Sequence, residues 1–324
     1  MKLPPALARF REILGLALIF AAAVIFSPTG SGGENIFLQP DNLTDILRQQ
    51  AEIGIIALAM TLVIISGGID LSVGSLLAFV ASLTALLLVK WQPALGPAAH
   101  ITVALLAALA SAFLLGFLNG AVIARLRLQP FIATLATMIG VRGLARWMCD
   151  NANIDFGFGG HVSARFADIF SDKLFVIGLW AAAAAFFYVL LEYTVFGRHV
   201  RAVGENERTA GYTGLPIRFT KVAVYSLCGL AAGVAGLIHA ARSYQGNPND
   251  GSAYELDAIA AVVIGGTALS GGKGSIPGTI IGALIMGVLT NILRLRLIDT
   301  NVEFMIKAVI IVAAVWLQSP RKAR

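Results

Sequence analysis

The chain has 324 residues, of which 57% are hydrophobic and 13% are charged, and its formal net charge is +6. Soluble domains carry about twice that share of charged residues, so the composition excludes a disordered chain and argues against an ordinary soluble enzyme. The basic residues do not cluster with interleaved aromatic residues, as nucleic-acid binding would require. The composition therefore predicts a membrane protein.

Ten apolar stretches follow one another along the chain, and most approach the length of about 20 residues that a helix needs to cross a bilayer. They are residues 13–26, 53–65, 71–89, 101–124, 131–148, 174–191, 222–241, 258–264, 276–293 and 304–317. Two of them are too short to span alone. We therefore predict an all-α polytopic membrane protein, a single transmembrane domain over residues 1–324 with about ten helices, some of them broken or re-entrant.

The orientation follows from charge, because Lys and Arg are retained in cytoplasmic loops. With the N-terminus inside, the inner segments hold a small majority of the basic residues, including those at the two ends: Lys2, Arg9, Arg321, Lys322 and Arg324. Acidic residues fall on the outer side: Asp41, Asp45, Glu52, Asp150, Asp155, Asp168, Asp172, Asp250 and Asp299. Both termini are therefore predicted to be cytoplasmic, and the first apolar stretch is expected to be an uncleaved span.

Two apolar stretches end in paired glycines. Residues 67–74 read Gly-Gly-Ile-Asp-Leu-Ser-Val-Gly and residues 265–272 read Gly-Gly-Thr-Ala-Leu-Ser-Gly-Gly, so five of eight positions match. Glycine pairs interrupt a helix and free backbone groups, which are tolerated at membrane depth only where protein or a water-filled path receives them. We predict two broken-helix turns beside a transport path, although chance similarity in a glycine-rich chain is an alternative. The glycines concerned are Gly67, Gly68, Gly74, Gly265, Gly266, Gly271 and Gly272.

Asp70 is the most conspicuous carboxylate, because it follows a long apolar stretch. A carboxylate at membrane depth is expensive and is by default a functional candidate. The alternative is that Asp70 caps a helix beginning at Leu71 by accepting hydrogen bonds from backbone N–H groups. The two roles are compatible.

Other polar residues in the spans are mostly neutral, and those proposed to line a substrate pathway with Asp70 are Ser72, Ser75, Asn119, Thr134 and Thr137. Such a path suits a neutral polyhydroxylated solute better than an ion, although Ser and Thr also bond back to their own helix. Arg142 and Arg146 are expected to snorkel to the outer surface. No chain of Asp, Glu and His side chains is recognised that would serve a proton-coupled carrier.

The longest inner loop covers residues 194–220 and contains signals for a short helix. Asn206 can cap that helix, Glu207 falls in its first turn, and Gly214 with Pro216 ends it. The density of glycine, asparagine and charge in this loop indicates a docking surface for another protein.

Four sequence motifs resemble one family, the membrane permease subunits of ribose-type bacterial ATP-binding-cassette sugar importers. The motifs are residues 67–74, the 204–214 loop, Glu-Leu-Asp-Ala-Ile-Ala-Ala-Val-Val-Ile-Gly-Gly at 255–266 and Leu-Ser-Gly-Gly-Lys-Gly at 269–274. The resemblance extends from about residue 53 to residue 316. It implies a multi-pass protein of the bacterial inner membrane that moves a monosaccharide, such as ribose, xylose, arabinose or galactose, by alternating access.

The same resemblance implies a second permease, identical or different, a cytoplasmic ATPase pair and a periplasmic sugar-binding protein. It implies that the inner loop couples permease to ATPase through Arg201, Gly204, Glu205, Asn206, Ala210 and Gly214. The usual family pattern there is Gly-x-Asn-x-x-Ala-Ala-x-x-x-Gly. Thr209 replaces the first alanine and Gly211 stands where a larger residue is common, which leaves the fit to a particular ATPase open.

The chain is not expected to be an enzyme or to hold a cofactor or metal. A phosphate-binding loop needs G-x-x-x-x-G-K-[ST] after a strand, and the nearest sequence, residues 267–274, lacks the first glycine and the final hydroxyl. ATP would therefore be bound by a partner subunit. The alternative function is a stand-alone secondary carrier for a small polar solute, which would need ion-coupling residues inside the bundle.

Overall fold

The computed structural model describes residues 11–91, 93, 95–157 and 162–318. Within them the chain is all-α, with thirteen helices and one two-stranded ribbon. The helices are α1 (Arg11–Phe26), α2 (Pro40–Ile65), α3 (Val73–Val89), α4 (Pro97–Leu126), α5 (Pro130–Met148), α6 (Val162–Ser171), α7 (Lys173–Tyr193), α8 (Val195–Glu205), α9 (Glu207–Tyr212), α10 (Ile217–Ser243), α11 (Tyr254–Ile264), α12 (Ile276–Leu295) and α13 (Thr300–Gln318). The ribbon joins β1 (Ile154–Asp155) to β2 (Gln245–Gly246).

Each of the ten apolar stretches lies in a helix of its own, apart from residues 71 and 72, which precede α3. Five of these helices, α2, α4, α7, α10 and α12, are long and apolar enough to cross a membrane. The structure therefore supports an all-α membrane protein with fewer complete spans than the ten predicted. The basic residues used to orient the ends, Lys2, Arg9, Arg321, Lys322 and Arg324, lie outside the described residues.

The centre of the bundle is formed by α2, α3 and α10, whose residues are mostly buried. Close approach of α10 to α4 depends on glycine: a Cβ added at Gly116 would lie 3.1 Å from the Cα of Gly229. Small residues at such crossings let membrane helices pack backbone to backbone. By contrast, α4 and α7 present large apolar side chains outward, including Leu106, Leu118 and Phe186. These faces suit lipid or another protein.

Both glycine pairs end a helix in the same way. After α2, Gly67 N–H donates to the Ile64 carbonyl and Gly68 N–H to the Val63 carbonyl. After α11, Gly266 and Thr267 donate to Val263 and Val262 in the same pattern, which is a Schellman motif. Gly67 (φ +83°) and Gly266 (φ +85°) occupy the left-handed position. The structural equivalence is therefore shifted by one residue from the sequence match, which paired Gly67 with Gly265.

A re-entrant segment, residues 245–253, connects α10 to α11. At its start Gly246 packs on Ala85 of α3, and further along Gly251 packs on Gly74 at the first turn of the same helix. The segment thus runs back into the bundle alongside α3. Because it has already carried the chain inward, the 11 residues of α11 complete that passage.

The helix predicted in the inner loop is confirmed. It is α9, which begins at Glu207, and the Asn206 side chain accepts the Thr209 N–H at 3.0 Å as its N-cap. The chain leaves the helix before Gly214, whose φ is +76°. Preceding it, α8 is amphipathic and buries Val200 and Val203.

Candidate functional site

Asp70 lies in the turn between α2 and α3 and is completely buried. Its Oδ1 accepts the backbone N–H of Ser72 at 2.9 Å and the Ser72 hydroxyl at 2.6 Å. Its Oδ2 makes no hydrogen bond of ordinary geometry among the described residues, but the buried Cys228 thiol of α10 lies close enough to interact with the carboxylate. The carboxylate therefore organises the last residues before α3.

The prediction that Asp70 accepts a backbone N–H is confirmed at Ser72, but its interpretation as the cap of a helix beginning at Leu71 is wrong. The helix begins at Val73, and Ser72 occupies the N-cap position without a side-chain cap hydrogen bond. The sequence Ile-Asp-Leu-Ser fits a cap at its aspartate, but Asp70 bonds to Ser72 rather than to amides of the first helical turn.

The residues predicted to accompany Asp70 are brought together by the structure. Asn119 of α4 donates from Nδ2 to the Ser72 hydroxyl oxygen at 2.9 Å, and the Thr137 hydroxyl of α5 donates to Asn119 Oδ1 at 2.5 Å. A chain of donors thus runs from Thr137 through Asn119 and Ser72 to Asp70. Asn119 is only 2% exposed, so this conformation holds the cluster closed.

The two remaining pathway candidates mainly bond to nearby backbone. The Thr134 hydroxyl donates to the Pro130 carbonyl at 2.9 Å and lies 3.4 Å from the Ile69 carbonyl. The Ser75 hydroxyl donates to the Ser72 carbonyl at 2.8 Å. The back-bonding alternative therefore accounts for Ser75, whereas Thr134 also contacts the Asp70 turn.

The two glycine turns meet at Gly204, the end of α8. The Gly272 N–H donates to the Ile65 carbonyl at 2.8 Å, which joins the second turn to the end of α2. Gly204 lies against both partners, because a Cβ added there would collide with the Ile65 oxygen and lie 2.7 Å from the Gly272 nitrogen. A Cβ at Gly271 would lie 3.2 Å from the Gly67 Cα. Three chain segments are therefore in backbone contact at this junction.

Arg201 strengthens the same junction. Its Nη1 donates to the Gly274 carbonyl at 3.1 Å, just beyond the second turn, while its Nη2 pairs with Glu192 at the end of α7. Glu205 and Asn206 are exposed, and Ala210 is buried. Gly214 is exposed and has no atom within 4 Å of an added Cβ. Gly204 and Arg201 therefore contact the glycine turns, whereas Gly214 does not.

Sequence reasoning missed a chain of acidic and histidine side chains at the opposite end of the bundle. His239 of α10 contacts Glu52 of α2 through Nδ1 and Asp250 of the re-entrant segment through Nε2, each at 2.9 Å. Arg242 pairs with Glu52 at 3.2 Å, and the Tyr254 hydroxyl donates to Glu52 at 3.1 Å. A chain of Asp, Glu and His side chains therefore lies inside the bundle, although none that would serve a proton-coupled carrier was recognised in the sequence.

Arg142 and Arg146 do not snorkel free of the protein. The Arg142 guanidinium donates to the Pro248 carbonyl at 2.9 Å and also to the Asp250 carbonyl. Arg146 donates to the Asn249 side chain at 2.9 Å. Both arginines therefore contact the re-entrant segment, but only Arg142 satisfies backbone carbonyls that the segment would otherwise leave without donors.

Two local signals were available for this second cluster. Residues 246–251 read Gly-Asn-Pro-Asn-Asp-Gly, a run of turn-forming residues. His239 and Arg142 are ionisable residues within apolar stretches, and Glu52 directly precedes one. Such residues are expected to have partners. What the sequence lacked was any means of matching Glu52 to a histidine 187 residues away.

Comparison with known proteins agrees with the motif resemblance. A family model described as a branched-chain amino acid transport system permease component matches residues 42–315. The ribose import permease protein of Escherichia coli is 38% identical over 96% of this chain and 94% of its own length. That of Bacillus subtilis is also 38% identical, over 96% of this chain and 92% of its own length.

A xylose transport system permease protein of Escherichia coli is 30% identical, over 95% of this chain and 92% of its own length. A probable ABC transporter permease protein of the same organism is 36% identical, over 93% of this chain and 88% of its own length. No solved structure shows significant similarity to the chain. The chain therefore belongs to the family of ribose-type permease subunits of ATP-binding-cassette importers.

Proposed function

We propose that this chain is the transmembrane subunit of a bacterial inner-membrane importer for a monosaccharide, powered by a separate ATPase. The observation that carries this proposal is the junction at Gly204, where the inner loop contacts both the end of α2 and the second glycine turn. A force applied to the loop would reach both breaks together. This geometry suits a permease driven from its cytoplasmic face by a partner.

The assignment of a sugar rests on the relatives, several of which are ribose or xylose permeases. The closed Asp70–Ser72–Asn119–Thr137 cluster lies beside the first break and contains hydroxyl and amide groups that match a polyhydroxylated solute. In alternating access, movement of the two turns would open this cluster toward the path. A delivery protein on the outer face and a second permease subunit complete the proposed assembly.

The proposed topology has both termini and the 194–220 loop in the cytoplasm, within one permease domain. The five helices that meet the length and hydropathy requirement form complete spans. The other apolar helices, α1, α3, α5, α11 and α13, complete about ten passages. At about 1.5 Å per residue, α11 covers only about 16 Å and depends on the re-entrant segment for the rest of its passage.

A secondary carrier is the alternative, and the Glu52–His239–Asp250 chain is the feature that would favour it. That chain is, however, enclosed by Arg242 and Tyr254 and ties the re-entrant segment to α2. The relatives are permease proteins, among them ribose import permeases and one named as a probable ABC transporter permease. We therefore assign these side chains to holding the re-entrant segment.

The proposed function is tested by purifying the tagged chain in mild detergent and identifying the proteins that accompany it. The complex is then placed in proteoliposomes with its delivery protein, and entry of labelled D-ribose, D-xylose and L-leucine is followed. We expect an ATPase to co-purify and a sugar to enter only with ATP on the ATPase side. Sugar entry that needs an ion gradient and no ATP would contradict the proposal, and entry of leucine alone would contradict the substrate class.

Variants at Asp70 test how the buried cluster contributes. Asp70→Asn is expected to keep most uptake, because an amide oxygen can accept both hydrogen bonds now made by Oδ1. Asp70→Ala is expected to lower uptake at least about tenfold, since buried donors without partners cost about 1–3 kcal/mol each. Initial uptake rates at equal amounts of folded complex provide the measurement. Loss of uptake in Asp70→Asn would instead indicate that the charge itself is required.

A further inference from the structure

A basic cavity lies where the end of α4, the turn into α5 and the start of α10 meet. Its volume is about 400 Å³. Its walls come from residues 123–124 and 127–130 and from Ile217, Arg218 and Lys221, and Glu207 of α9 borders it. The proposed topology places these helix ends at the cytoplasmic surface of the membrane.

Positive charge in this cavity exceeds negative charge. Arg127, Arg218 and Lys221 line it, and Glu207 is the one acidic residue among the described residues of the lining. Glu207 pairs with Lys221 at 2.7 Å. The exposed side chains of Arg127 and Arg218 have no hydrogen-bond or ion-pair partner in the described part of the chain. Arg208 lines an adjoining cavity together with Arg127, so two or three guanidinium groups remain available to one anion.

Large apolar side chains lie exposed beside the cavity. Leu126, Phe131 and Phe219 are 66%, 54% and 65% exposed, and each is the sequence neighbour of a lining residue. Leu118 and Leu114, further along α4, are exposed as well. A ligand that matches both kinds of surface carries an anionic group and a hydrocarbon chain.

The charge, the size and the position of the cavity favour a phospholipid headgroup. A guanidinium binds a phosphate through two parallel hydrogen bonds. At about 30 Å³ for each water-sized group, the cavity holds a phosphate together with a glycerol unit. Basic pockets between membrane helices at the cytoplasmic surface bind anionic headgroups. A free phosphate ion would use the arginines and leave the apolar side chains without a role.

We propose that this cavity binds the headgroup of an anionic phospholipid of the cytoplasmic leaflet. Arg127 and Arg218 pair with the phosphate, and the acyl chains lie along the exposed apolar side chains of α4. The proposal adds a lipid partner to the importer and does not depend on the transported solute. Its failure would therefore leave the proposed function intact.

The test measures binding of phosphatidylglycerol to the purified full-length chain in nonionic detergent by native mass spectrometry, with phosphatidylcholine of the same acyl chains in parallel. Arg127→Gln and Arg218→Gln are each expected to weaken phosphatidylglycerol binding about fivefold, the equivalent of about 1 kcal/mol. Both side chains are exposed, so thermal unfolding should stay near that of the unmodified chain. Arg198→Gln is the matched control, because Arg198 is an exposed arginine of α8 outside the cavity lining, and binding should not change.

Preference for phosphatidylglycerol over phosphatidylcholine, lowered in both cavity variants and kept in Arg198→Gln, supports the lipid site. Equal binding of the two lipids, or equal weakening in all three variants, overturns it. Displacement of the lipid by inorganic phosphate at equal concentration would indicate a site for a free anion and also overturns it. If the cavity variants lose a co-purifying ATPase and keep their lipid, the basic surface docks a protein and the proposal is wrong.

Discussion

Replacement of Gly204 with alanine is expected to abolish ATP-driven uptake. The added Cβ would collide with the Ile65 carbonyl oxygen and crowd the Gly272 nitrogen, and these two atoms form the hydrogen bond that joins the turns. Both belong to the backbone, so no side chain can rotate away. Overpacking of this kind costs about 1–3 kcal/mol even where neighbours adjust. The measurement is sugar entry into proteoliposomes, with ATP hydrolysis followed in the same sample.

Gly214→Ala is the matched control for this prediction. Gly214 has a left-handed φ of +76° but open space around an added Cβ, so the change costs about 1–2 kcal/mol of local strain and disturbs no neighbour. Uptake is expected to fall only modestly. The motif resemblance implied a coupling role for both glycines, whereas in the structure only Gly204 is in close backbone contact with other segments. Full uptake by Gly204→Ala, or equal loss in both variants, would contradict the junction as the point of coupling.

Arg142→Met is expected to remove uptake and to lower the thermal stability of the purified chain. The substitution takes hydrogen-bond donors away from the Pro248 and Asp250 carbonyls. An unsatisfied backbone group within the membrane costs several kcal/mol, so the re-entrant segment would lose its place against α3. Arg142→Lys is expected to restore only part of the loss, because one ammonium cannot reproduce the planar fork of a guanidinium.

Arg146→Met is the control, since Arg146 contacts only the exposed side chain of Asn249 among the hydrogen bonds described. It should unfold near the temperature of the unmodified chain and keep its uptake. Thermal unfolding in detergent and initial uptake rate are measured on the same preparations. If both arginine variants behave alike, the backbone contacts of Arg142 do not hold the segment.

The helices could be predicted from sequence because hydropathy is a local property. Each apolar stretch forms a helix. Asn206 caps α9 because its short side chain can reach and accept a backbone N–H of the first turn. The number of complete spans could not be predicted in the same way. Whether α11 crosses alone depends on where the re-entrant segment delivers the chain, which is set by contacts with α3 and not by composition.

The residues of the candidate site were predicted from sequence, but the hydrogen bonds that join them were not. Asp70, Ser72, Asn119 and Thr137 were each recognised as polar residues in apolar surroundings, yet they come from a turn and two separate helices. Their order in the hydrogen-bond chain depends on tertiary packing. The glycine repeat shows the same limit. The sequence match pairs Gly67 with Gly265, whereas the backbone geometry makes Gly67 equivalent to Gly266.

The junction at Gly204 has a mechanical consequence. Its contacts run from backbone to backbone, so no rotatable side chain lies between the inner loop and either the end of α2 or the second glycine turn. Side chains in a contact can absorb small displacements by changing rotamer, whereas peptide planes at van der Waals distance are stiff. A shift of the inner loop by a fraction of an ångström would therefore displace the two glycine turns. Their displacement would be nearly as large as that of the loop at the cytoplasmic surface.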